Sequence, residues 1–536
     1  MNNDWWRGAV IYQIYPRSFQ DDSGDGVGDL AGIIRRLPYV ASLGVDAIWL
    51  SPIYTSPMAD MGYDVSDYRG IDPVFGTMAD FDRLVARAHD LGLKVILDQV
   101  ISHTSDRHPW FADARKRGAK YDWYVWADPN PDGTPPNNWL SVFGGPAWEW
   151  EAGRRQFYLH NFLASQPDLN FHNPAVQDEM LDVLRFWLDR GVDGFRLDTV
   201  NYYFHDPELR PNPPAMPRKD GRPQPAPYDM QLHLHDKTRP ENLPFLARMR
   251  QLLNRYDARC LVGEVGDAPG RALKIMAEYT SGPDHLHMAY SFDMLGPDYT
   301  PEHFRACIDS FFAAAPDGWP SWAFSNHDVI RHVTRWEKDG ASPQALAKQA
   351  IALLASFPGT ISLYQGEELG QTQTEMAYHE LTDPPGLRFW PEDKGRDGCR
   401  TPMVWETDAP NAGFSAARPW LPVKAPQAAR AVAAQETDPG SVLAQYRKVL
   451  AFRRASAALR TGDIRFLDLP APILGFVRTG ETQRLTCLFN LSPEPRTIAA
   501  APDGIAVGPG ADPDAGRSAG NSLTLPANGW LWLKTT

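Results

Sequence analysis

Eight apolar, strand-like runs alternate with longer amphipathic segments, and this alternation constrains the fold more than any other feature of the chain. The runs lie at residues 9–16, 44–52, 93–103, 192–199, 260–265, 289–294, 321–328 and 360–368. The intervening segment 174–190 carries apolar residues at helical spacing and is followed by Gly191, a residue typical of helix C-termini. Alternating strands and helices form parallel sheets, and eight such units favour an α/β fold of the (β/α)₈ TIM-barrel type over an open sheet.

Two regions depart from this alternation. Residues 104–172, after the third strand, are rich in Trp, Pro, Asn and Gly and too long for a simple loop, which predicts an inserted subdomain. Beyond residue 456, short strand-like runs with turn signals replace the helical pattern. The sequence therefore predicts a barrel of residues 1–103 and 173–455, an inserted subdomain of residues 104–172, and a C-terminal antiparallel β-sandwich of residues 456–536.

Composition and charge exclude several classes of function. The net charge of −13 and the lack of basic runs argue against nucleic-acid binding. The four cysteines are far apart and show neither disulfide nor metal-site spacing. No signal peptide and no membrane-spanning run is recognisable, so we expect a cytoplasmic protein without a membrane partner, either a monomer or a homodimer.

Charged and polar residues cluster where the predicted strands end. They are Asp98 and His103 on the third strand, Arg196 and Asp198 on the fourth, Glu264 on the fifth, and His327 and Asp328 on the seventh. A single carboxylate at such a position is often only a helix cap. Parallel strands of a barrel, however, bring their carboxyl ends to one face, where barrel enzymes have their active sites. We therefore expect these side chains to form one site.

Carboxyl groups gathered at one mouth suggest glycoside hydrolysis. A retaining enzyme needs an ionised nucleophile and a protonated acid about 5–5.5 Å apart. Asp198 and Arg196 are two residues apart on one strand, so their side chains point the same way and the guanidinium is expected to keep Asp198 ionised. Glu264 follows an apolar stretch, which suits a raised pKa and the role of acid. Asp328 then remains for binding the sugar.

Five short motifs extend this interpretation. They are "DQVISH" (98–103), "QPDLNF" (166–171), "GFRLDT" (194–199), "GEV" (263–265) and "SNHD" (325–328). With these motifs in this order, the chain resembles glycoside hydrolase family 13, the α-amylase superfamily, and within it the α-glucosidase and oligo-1,6-glucosidase branch. The resemblance implies that Asp198 is the nucleophile, Glu264 the general acid/base and Asp328 the transition-state stabiliser.

The resemblance also implies a closed pocket for one glucose ring. His103 and His327 would bind its hydroxyl groups. Asp60 and Tyr63 in "MADMGYD" (58–64) would hold the same sugar, with Tyr63 stacking on it or closing the pocket floor, and Arg400 in "GRDGCRTPMVW" (395–405) would be the glucose-binding arginine. The remaining predicted substrate-binding residues are Phe143, Phe162, Gln166, Arg196 and Thr199.

An acidic, glycine-rich loop suggests a structural cation. "DDSGDGVGD" (21–29) offers oxygen ligands of the kind that hard cations prefer, although a solvated acidic turn would look the same. The resemblance implies Ca²⁺ or Mg²⁺ here, with Asp21, Ser23, Asp25, Asp29 and the carbonyl of Val27 as ligands. Ser102 stands where many relatives carry a calcium-binding Asn, so we do not expect that second calcium. No organic cofactor is expected.

Thr199, directly after the predicted nucleophile, resembles maltase-like α-1,4-specific enzymes rather than α-1,6-specific ones. We therefore expect a retaining, exo-acting α-glucosidase of short α-1,4-linked glucosides, with transglucosylation as a side activity. The proline-rich connection 204–240 is expected to form a lid that disfavours long substrates. The alternatives are a sucrose-cleaving or isomerising transglucosidase, an oligo-1,6-glucosidase, and a non-catalytic barrel relative.

Overall fold

Eight parallel strands form the centre of the protein. The structure, a computed structural model, describes residues 4–216, 226–338, 340–499, 502–510, 517–518 and 522–534. The strands are β1 (Val10–Ile14), β2 (Ala47–Leu50), β3 (Lys94–Gln99), β4 (Gly194–Leu197), β5 (Cys260–Val265), β6 (Met288–Ser291), β7 (Ser321–Ala323) and β8 (Thr360–Tyr364). They pair in the order β6-β5-β4-β3-β2-β1-β8-β7. A parallel bridge between Ala289 and Pro320 joins the two edges and closes the barrel, which confirms the predicted fold.

Helices follow these strands and cover the barrel. They are α1 (Leu30–Ser42), α2 (Met78–Asp90), α3 (Pro174–Asp189), α4 (Asn242–Leu253), α5 (Arg271–Thr280), α6 (Pro301–Ala314), α7 (Pro343–Leu354) and α8 (Val442–Ala455). In α3 the residues predicted to face the core are buried, including Val176, Met180 and Trp187. Side-chain caps mark the starts of six of these helices; at α1, for example, Asp29 accepts from the N–H of Gly32.

The connection after β3 forms the inserted subdomain. It contains the helix Pro109–Arg115 and a three-stranded antiparallel sheet of Trp126–Ala127, Trp148–Glu151 and Gln156–Leu159. Its own small core includes Trp139, Trp148 and Phe157. A short hairpin, Tyr54–Thr55 with Asp67–Ile71, lies in the β2 to α2 connection. Segments from these two connections reach the same end of the barrel.

Antiparallel sheets follow α8, as predicted. The helix Ala457–Thr461 continues beyond residue 456, and strands begin only at residue 463. One sheet contains Asp463–Phe466, Ile473–Thr479, Arg484–Asn490, Trp530–Lys534 and Ile505–Val507, and a second contains Arg496–Ile498, Ser522–Leu525 and Arg517–Ser518. Ile473 and Leu488 of the first sheet pack with Ile498 and Leu523 of the second. The domain boundaries themselves stay predictions.

Irregular segments and short helices fill the remaining connections. The proline-rich connection 204–240 includes the short helix Pro227–Met230, while its residues 217–225 lie outside the described residues. The other short helices are Pro16–Ser18, Phe292–Leu295, His332–Arg335, Glu367–Leu369, Tyr378–Glu380, Pro384–Phe389, Asp397–Arg400, Pro410–Gly413, Ala425–Ala428 and Val432–Glu436. Throughout the described part of the chain, no helix has both the length and the apolar character needed to cross a bilayer.

Candidate active site

A buried arginine on β4 lies at the centre of the site. Arg196 is paired in register with Asp98 of β3, and one of its nitrogens, Nη1, lies 2.7 Å from Asp98 Oδ1 and 2.6 Å from Asp198 Oδ1. Its other nitrogen, Nη2, lies 2.6 Å from Glu264 Oε1 on β5. One guanidinium group therefore bridges three carboxyl groups from three neighbouring strands, which explains why an apolar strand carries this charged pair.

Burial raises the pKa of both carboxyl groups expected to react; the sequence predicted this for Glu264 but not for Asp198. Burial raises the pKa of Asp198 to about 7, although Arg196 opposes the shift. Burial also raises the pKa of Glu264 to about 7, again opposed by Arg196 and reinforced by the charges of Asp198 and Asp328. The expectation that Arg196 holds the pKa of Asp198 low is wrong, because burial outweighs the effect of one positive charge that contacts three carboxyl groups.

Glu264 is held by donors on both carboxylate oxygens. The hydroxyl of Tyr290, from β6, donates to Oε1 at 3.0 Å. The backbone N–H of Thr199 donates to Oε2 at 3.0 Å. Thr199 has a φ of 42°, a left-handed conformation that costs a β-branched residue about 1–3 kcal/mol and that concentrates at functional sites. This turn after β4 aims the amide of the residue next to Asp198 at Glu264.

Asp328 lies in a different electrostatic environment. Its Oδ1 is 3.0 Å from Arg400 Nη2 and 3.3 Å from Arg396 Nη1. Burial alone would raise the pKa of Asp328, but the Nε2–H of His327 beside Oδ2 and the positive charges of Arg396 and Arg400 outweigh it and lower that pKa below the ordinary aspartate value. Asp328 therefore remains ionised at neutral pH.

A cavity of about 230 Å³ opens among these groups. Its lining contains ten of the predicted site residues, Asp60, Tyr63, His103, Phe143, Phe162, Asp198, Thr199, Glu264, His327 and Asp328. The structure thus brings together carboxyl groups from stretches of chain that are far apart in the sequence. Gln166 and Arg196 lie behind the wall: Gln166 Nε2 donates to Asp60 Oδ2 at 3.1 Å and contacts His103 Nε2 at 3.1 Å.

The two predicted histidines are buried and neutral. Burial lowers the pKa of His103 to about 4, and its Nε2–H donates to the backbone carbonyl of Tyr63 at 2.9 Å. Burial also lowers the pKa of His327 well below the ordinary value. Gln13 Nε2 donates to His327 Nδ1 at 2.7 Å, so the ring proton is on Nε2, which lies 3.2 Å from Asp328 Oδ2.

The arginine that faces the cavity is Arg396 rather than Arg400. Arg396 Nη2 lies 2.8 Å from Asp60 Oδ1, and the side chain belongs to the cavity lining. Arg400 is completely buried, and its Nε donates to the backbone carbonyl of His327 at 2.7 Å. Arg400, the predicted sugar-binding arginine, is therefore not part of the cavity lining: it ends the four-residue helix Asp397–Arg400 and contacts Asp328, whereas Arg396 lies immediately before that helix.

The acidic loop at residues 21–29 does not present the oxygen cluster expected of a cation site. Asp21 Oδ1 accepts from the backbone N–H of Gly24 and the Ser23 hydroxyl, and Asp21 Oδ2 accepts from the N–H of Gly26 and the Ser415 hydroxyl. Asp29 caps α1. Within the described residues, no group of three or more His, Cys, Asp or Glu side chains is arranged to hold a metal. In this arrangement both carboxylate oxygens of Asp21 accept hydrogen bonds, so binding of the predicted cation would require these hydrogen bonds to be exchanged for metal contacts.

Comparison with known proteins agrees with the geometry. Residues 13–462 match the family model of the alpha amylase catalytic domain. The chain belongs to glycoside hydrolase family 13, the α-amylase superfamily. A probable alpha-glucosidase of Rhizobium meliloti (strain 1021) is 58% identical over 502 residues, which cover 92% of this chain and 91% of that protein.

Further relatives support the α-glucosidase branch of this family. An oligo-1,6-glucosidase of Heyndrickxia coagulans is 37% identical over 533 residues, covering 91% of this chain and 92% of that protein. A crystal structure of an alpha-glucosyl transfer enzyme, XgtA, is 52% identical with a TM-score of 0.95, and the match covers 99% of each chain. This family 13 enzyme is thus a glycoside hydrolase of the α-glucosidase type, and the non-catalytic alternative is set aside.

Five residues of the cavity lining were missed from the sequence: Val142, Tyr202, Gly266, Phe292 and Arg396. Arg396 lies in the "GRDGCRTPMVW" segment together with Arg400, and the sequence alone does not show which of the two arginines faces the cavity. Tyr202 follows the fourth strand, Gly266 the fifth and Phe292 the sixth, so the strand-end rule could have found these three. No sequence pattern points to Val142 as a site residue, apart from its position next to the predicted Phe143.

Proposed function

We propose that this α-glucosidase is a retaining, exo-acting enzyme that releases α-glucose from the non-reducing end of short α-1,4-linked glucosides. The observation that carries the proposal is the small cavity that holds Asp198, Glu264 and Asp328 together.

The dimensions of the cavity support exo action. Its volume of about 230 Å³ is smaller than the ≈300–1,000 Å³ of pockets for drug-sized ligands, and so it suits one sugar ring rather than a chain. Asp60, Arg396 and Asp328 form a hydrogen-bonded wall in it. Ionised carboxylates and a guanidinium group there would hold the ring hydroxyls and leave no room for a further glucose unit beyond them.

Retention of configuration is proposed because one arginine contacts both of the carboxyl groups that would react. Arg196 Nη1 lies 2.6 Å from Asp198 and Nη2 lies 2.6 Å from Glu264, and a shared guanidinium partner supports the short carboxyl separation of about 5–5.5 Å that retaining enzymes use. In the proposed first step, a carboxylate oxygen of Asp198 bonds to the anomeric carbon while the glycosidic C–O bond breaks and Glu264 gives its proton to the leaving oxygen. In the second step, Glu264 takes a proton from water, whose oxygen displaces Asp198 from the anomeric carbon.

The linkage preference is proposed from Thr199, whose hydroxyl lies 3.4 Å from Asp198 Oδ2 and 3.2 Å from Ser102 Oγ. A hydroxyl at this wall would change the fit of the departing sugar. Transglucosylation is proposed as a side activity because an acceptor alcohol can replace water in the second step. The similar XgtA structure, an alpha-glucosyl transfer enzyme, supports this part of the proposal.

The purified enzyme tests these points directly. We expect maltose to be cleaved faster than isomaltose, sucrose, trehalose or maltotriose, and NMR to detect α-glucose as the first product. Release of β-glucose would contradict retention, and faster cleavage of isomaltose or isomerisation of sucrose would favour the alternatives. Unchanged hydrolysis by Asp198→Asn would remove the assigned nucleophile. Shortening the 204–240 connection should improve turnover of longer chains if it forms a lid.

The cation at residues 21–29 also remains a proposal. It rests on the acidic composition of the loop, and no step of the reaction is assigned to it. Elemental analysis of the dialysed protein, together with the melting temperature with and without a chelator, would decide whether Ca²⁺ or Mg²⁺ is bound. Less than one metal ion per ten chains and an unchanged melting temperature would exclude it.

A further inference from the structure

A buried lysine lies directly behind the part of the cavity wall formed by Tyr202 and Gly266. Lys237 comes from the end of the 204–240 connection and is 3% exposed. Its Nζ lies 2.9 Å from the hydroxyl of Tyr202, 2.9 Å from the hydroxyl of Tyr228 and 2.9 Å from the carbonyl oxygen of Gly266. Tyr202 and Gly266 line the cavity.

This arrangement uses the full donor capacity of the lysine. An ammonium group has three N–H donors, and each has an oxygen partner at 2.9 Å. The ammonium also lies 4.6 Å from the centre of the Tyr202 ring, which suits a cation–π contact. A buried charge is costly unless its partners are in place, so Lys237 and its three partners form one mutually dependent unit.

Of the two phenol O–H groups of Tyr202 and Tyr228, only one can donate within this unit. Both phenol oxygens accept from Lys237, and they lie 2.9 Å from each other, so one hydroxyl donates to the other. The second hydroxyl has no acceptor among the hydrogen bonds of the described residues. When Tyr228 donates to Tyr202, the free O–H belongs to Tyr202, on the wall of the cavity.

The rest of this segment is fixed to the same wall. The ring of Tyr228 stacks on His233 at 3.7 Å between centroids, and His233 also pairs with Asp236. The backbone N–H of Thr238 donates to the carbonyl of Asn201, next to Tyr202. The segment 226–239 is therefore attached to the wall on both sides of Lys237.

We propose that Lys237, with Tyr228, is a positioning residue that holds Tyr202 so that its hydroxyl donates to a hydroxyl of the departing sugar or of an acceptor. The inference rests on the proposed function, because it concerns the half of the substrate beyond the cleaved bond. It predicts that this unit distinguishes sugar aglycones, which carry hydroxyl groups, from aglycones that carry none.

The test compares two substrates that share the same glucose. Maltose has hydroxyl groups on its aglycone, whereas phenyl α-glucoside has none. Lys237→Met removes the three donors at similar volume, and Tyr228→Phe removes a single hydroxyl outside the cavity wall. Tyr279→Phe serves as the matched control, since that buried phenol bonds Asn242 and is not part of the cavity lining.

We expect Lys237→Met to lower kcat/KM for maltose about tenfold more than for phenyl α-glucoside, mainly through a higher KM, as expected for one or two lost hydrogen bonds. Tyr228→Phe should shift the ratio the same way by a smaller factor, and Tyr279→Phe should leave the ratio unchanged. Equal losses on both substrates in folded Lys237→Met and Tyr228→Phe would overturn the inference. The wild-type rates on maltose and isomaltose test the proposed function separately, since the inference concerns only ratios between variants.

Discussion

Replacement of Glu264 by Gln should make the stability of the protein less dependent on pH. The pKa of Glu264 is raised by burial from 4.5 to about 7. The folded protein therefore binds this proton in a range where the unfolded chain has lost it. The contribution of the group is fully present below pH 4.5 and is lost as the pH rises toward 7, so wild-type stability falls across this window. Glu264→Gln cannot ionise and escapes that loss.

The magnitude follows from the size of the shift. The rise of this pKa from 4.5 to about 7 corresponds to roughly 3 kcal/mol of folding free energy at pH 8 relative to pH 4. With an unfolding entropy of about 2.1 cal/mol/K per residue, 536 residues give roughly 1.1 kcal/mol per degree, and hence a relative shift of about 3 °C in Tm. The glutamine side chain of the variant has one acceptor oxygen fewer for the donors Thr199 N–H and Tyr290 O–H. This loss lowers the stability of the variant equally at both pH values and therefore cancels in the comparison between them.

Differential scanning fluorimetry of wild type and Glu264→Gln at pH 4 and pH 8 measures this effect. We expect the Tm difference, variant minus wild type, to be about 3 °C more positive at pH 8 than at pH 4. Glu481→Gln, at an exposed glutamate in a hairpin turn, controls for the general effect of removing a negative charge. A Tm difference for Glu264→Gln that is the same at both pH values within 1 °C would refute the raised pKa of Glu264.

Three further outcomes are expected. The pH profile of kcat/KM should be a narrow bell centred near pH 7, because Asp198 must be ionised, Glu264 must be protonated, and each has a pKa of about 7. A value of kcat/KM that is constant from pH 5 to 9 would contradict this. Arg396→Met should lower kcat/KM for maltose by roughly 10²-fold, because it removes charged hydrogen bonds to Asp60 and Asp328 that are worth about 1.5–3 kcal/mol each. A loss of less than threefold would show that Arg396 does not contribute to binding of the sugar ring. Thr199→Val should lower the maltose-to-isomaltose rate ratio, and an unchanged ratio would separate linkage choice from this hydroxyl.

The fold was predictable because its signals are local and repeated. Each predicted strand overlaps an observed one, and α3 begins at Pro174 and ends at Asp189 within the predicted 174–190 segment. Strand ends were less accurate: the third run was predicted to residue 103, but β3 ends at Gln99. Residues 100–103 lie beyond the hydrogen-bonded part of this strand, and His103 among them lines the cavity at the mouth of the barrel.

The site was predictable as a set of residues and less so as a set of ionisation states. Asp198, Glu264 and Asp328 line one cavity, which the strand-end rule anticipated. The rule pairs Arg196 with its neighbour in sequence, whereas in three dimensions Asp98 and Glu264 share that arginine equally closely. The pKa of a buried group depends on charges that come close only in the folded protein, and a local sequence pattern does not show which charges these are.

The distribution of positive charge separates the roles of the three carboxyl groups. Arg196 is shared by Asp98, Asp198 and Glu264, and the pKa values of the latter two rise to about 7. Asp328 has two arginines close by, and its pKa falls. The proton that glycosidic bond cleavage needs at neutral pH must therefore come from the group around Arg196. Asp328 remains a fixed negative charge, suited to binding hydroxyl groups and to stabilising the positive charge that develops on the sugar ring in the transition state.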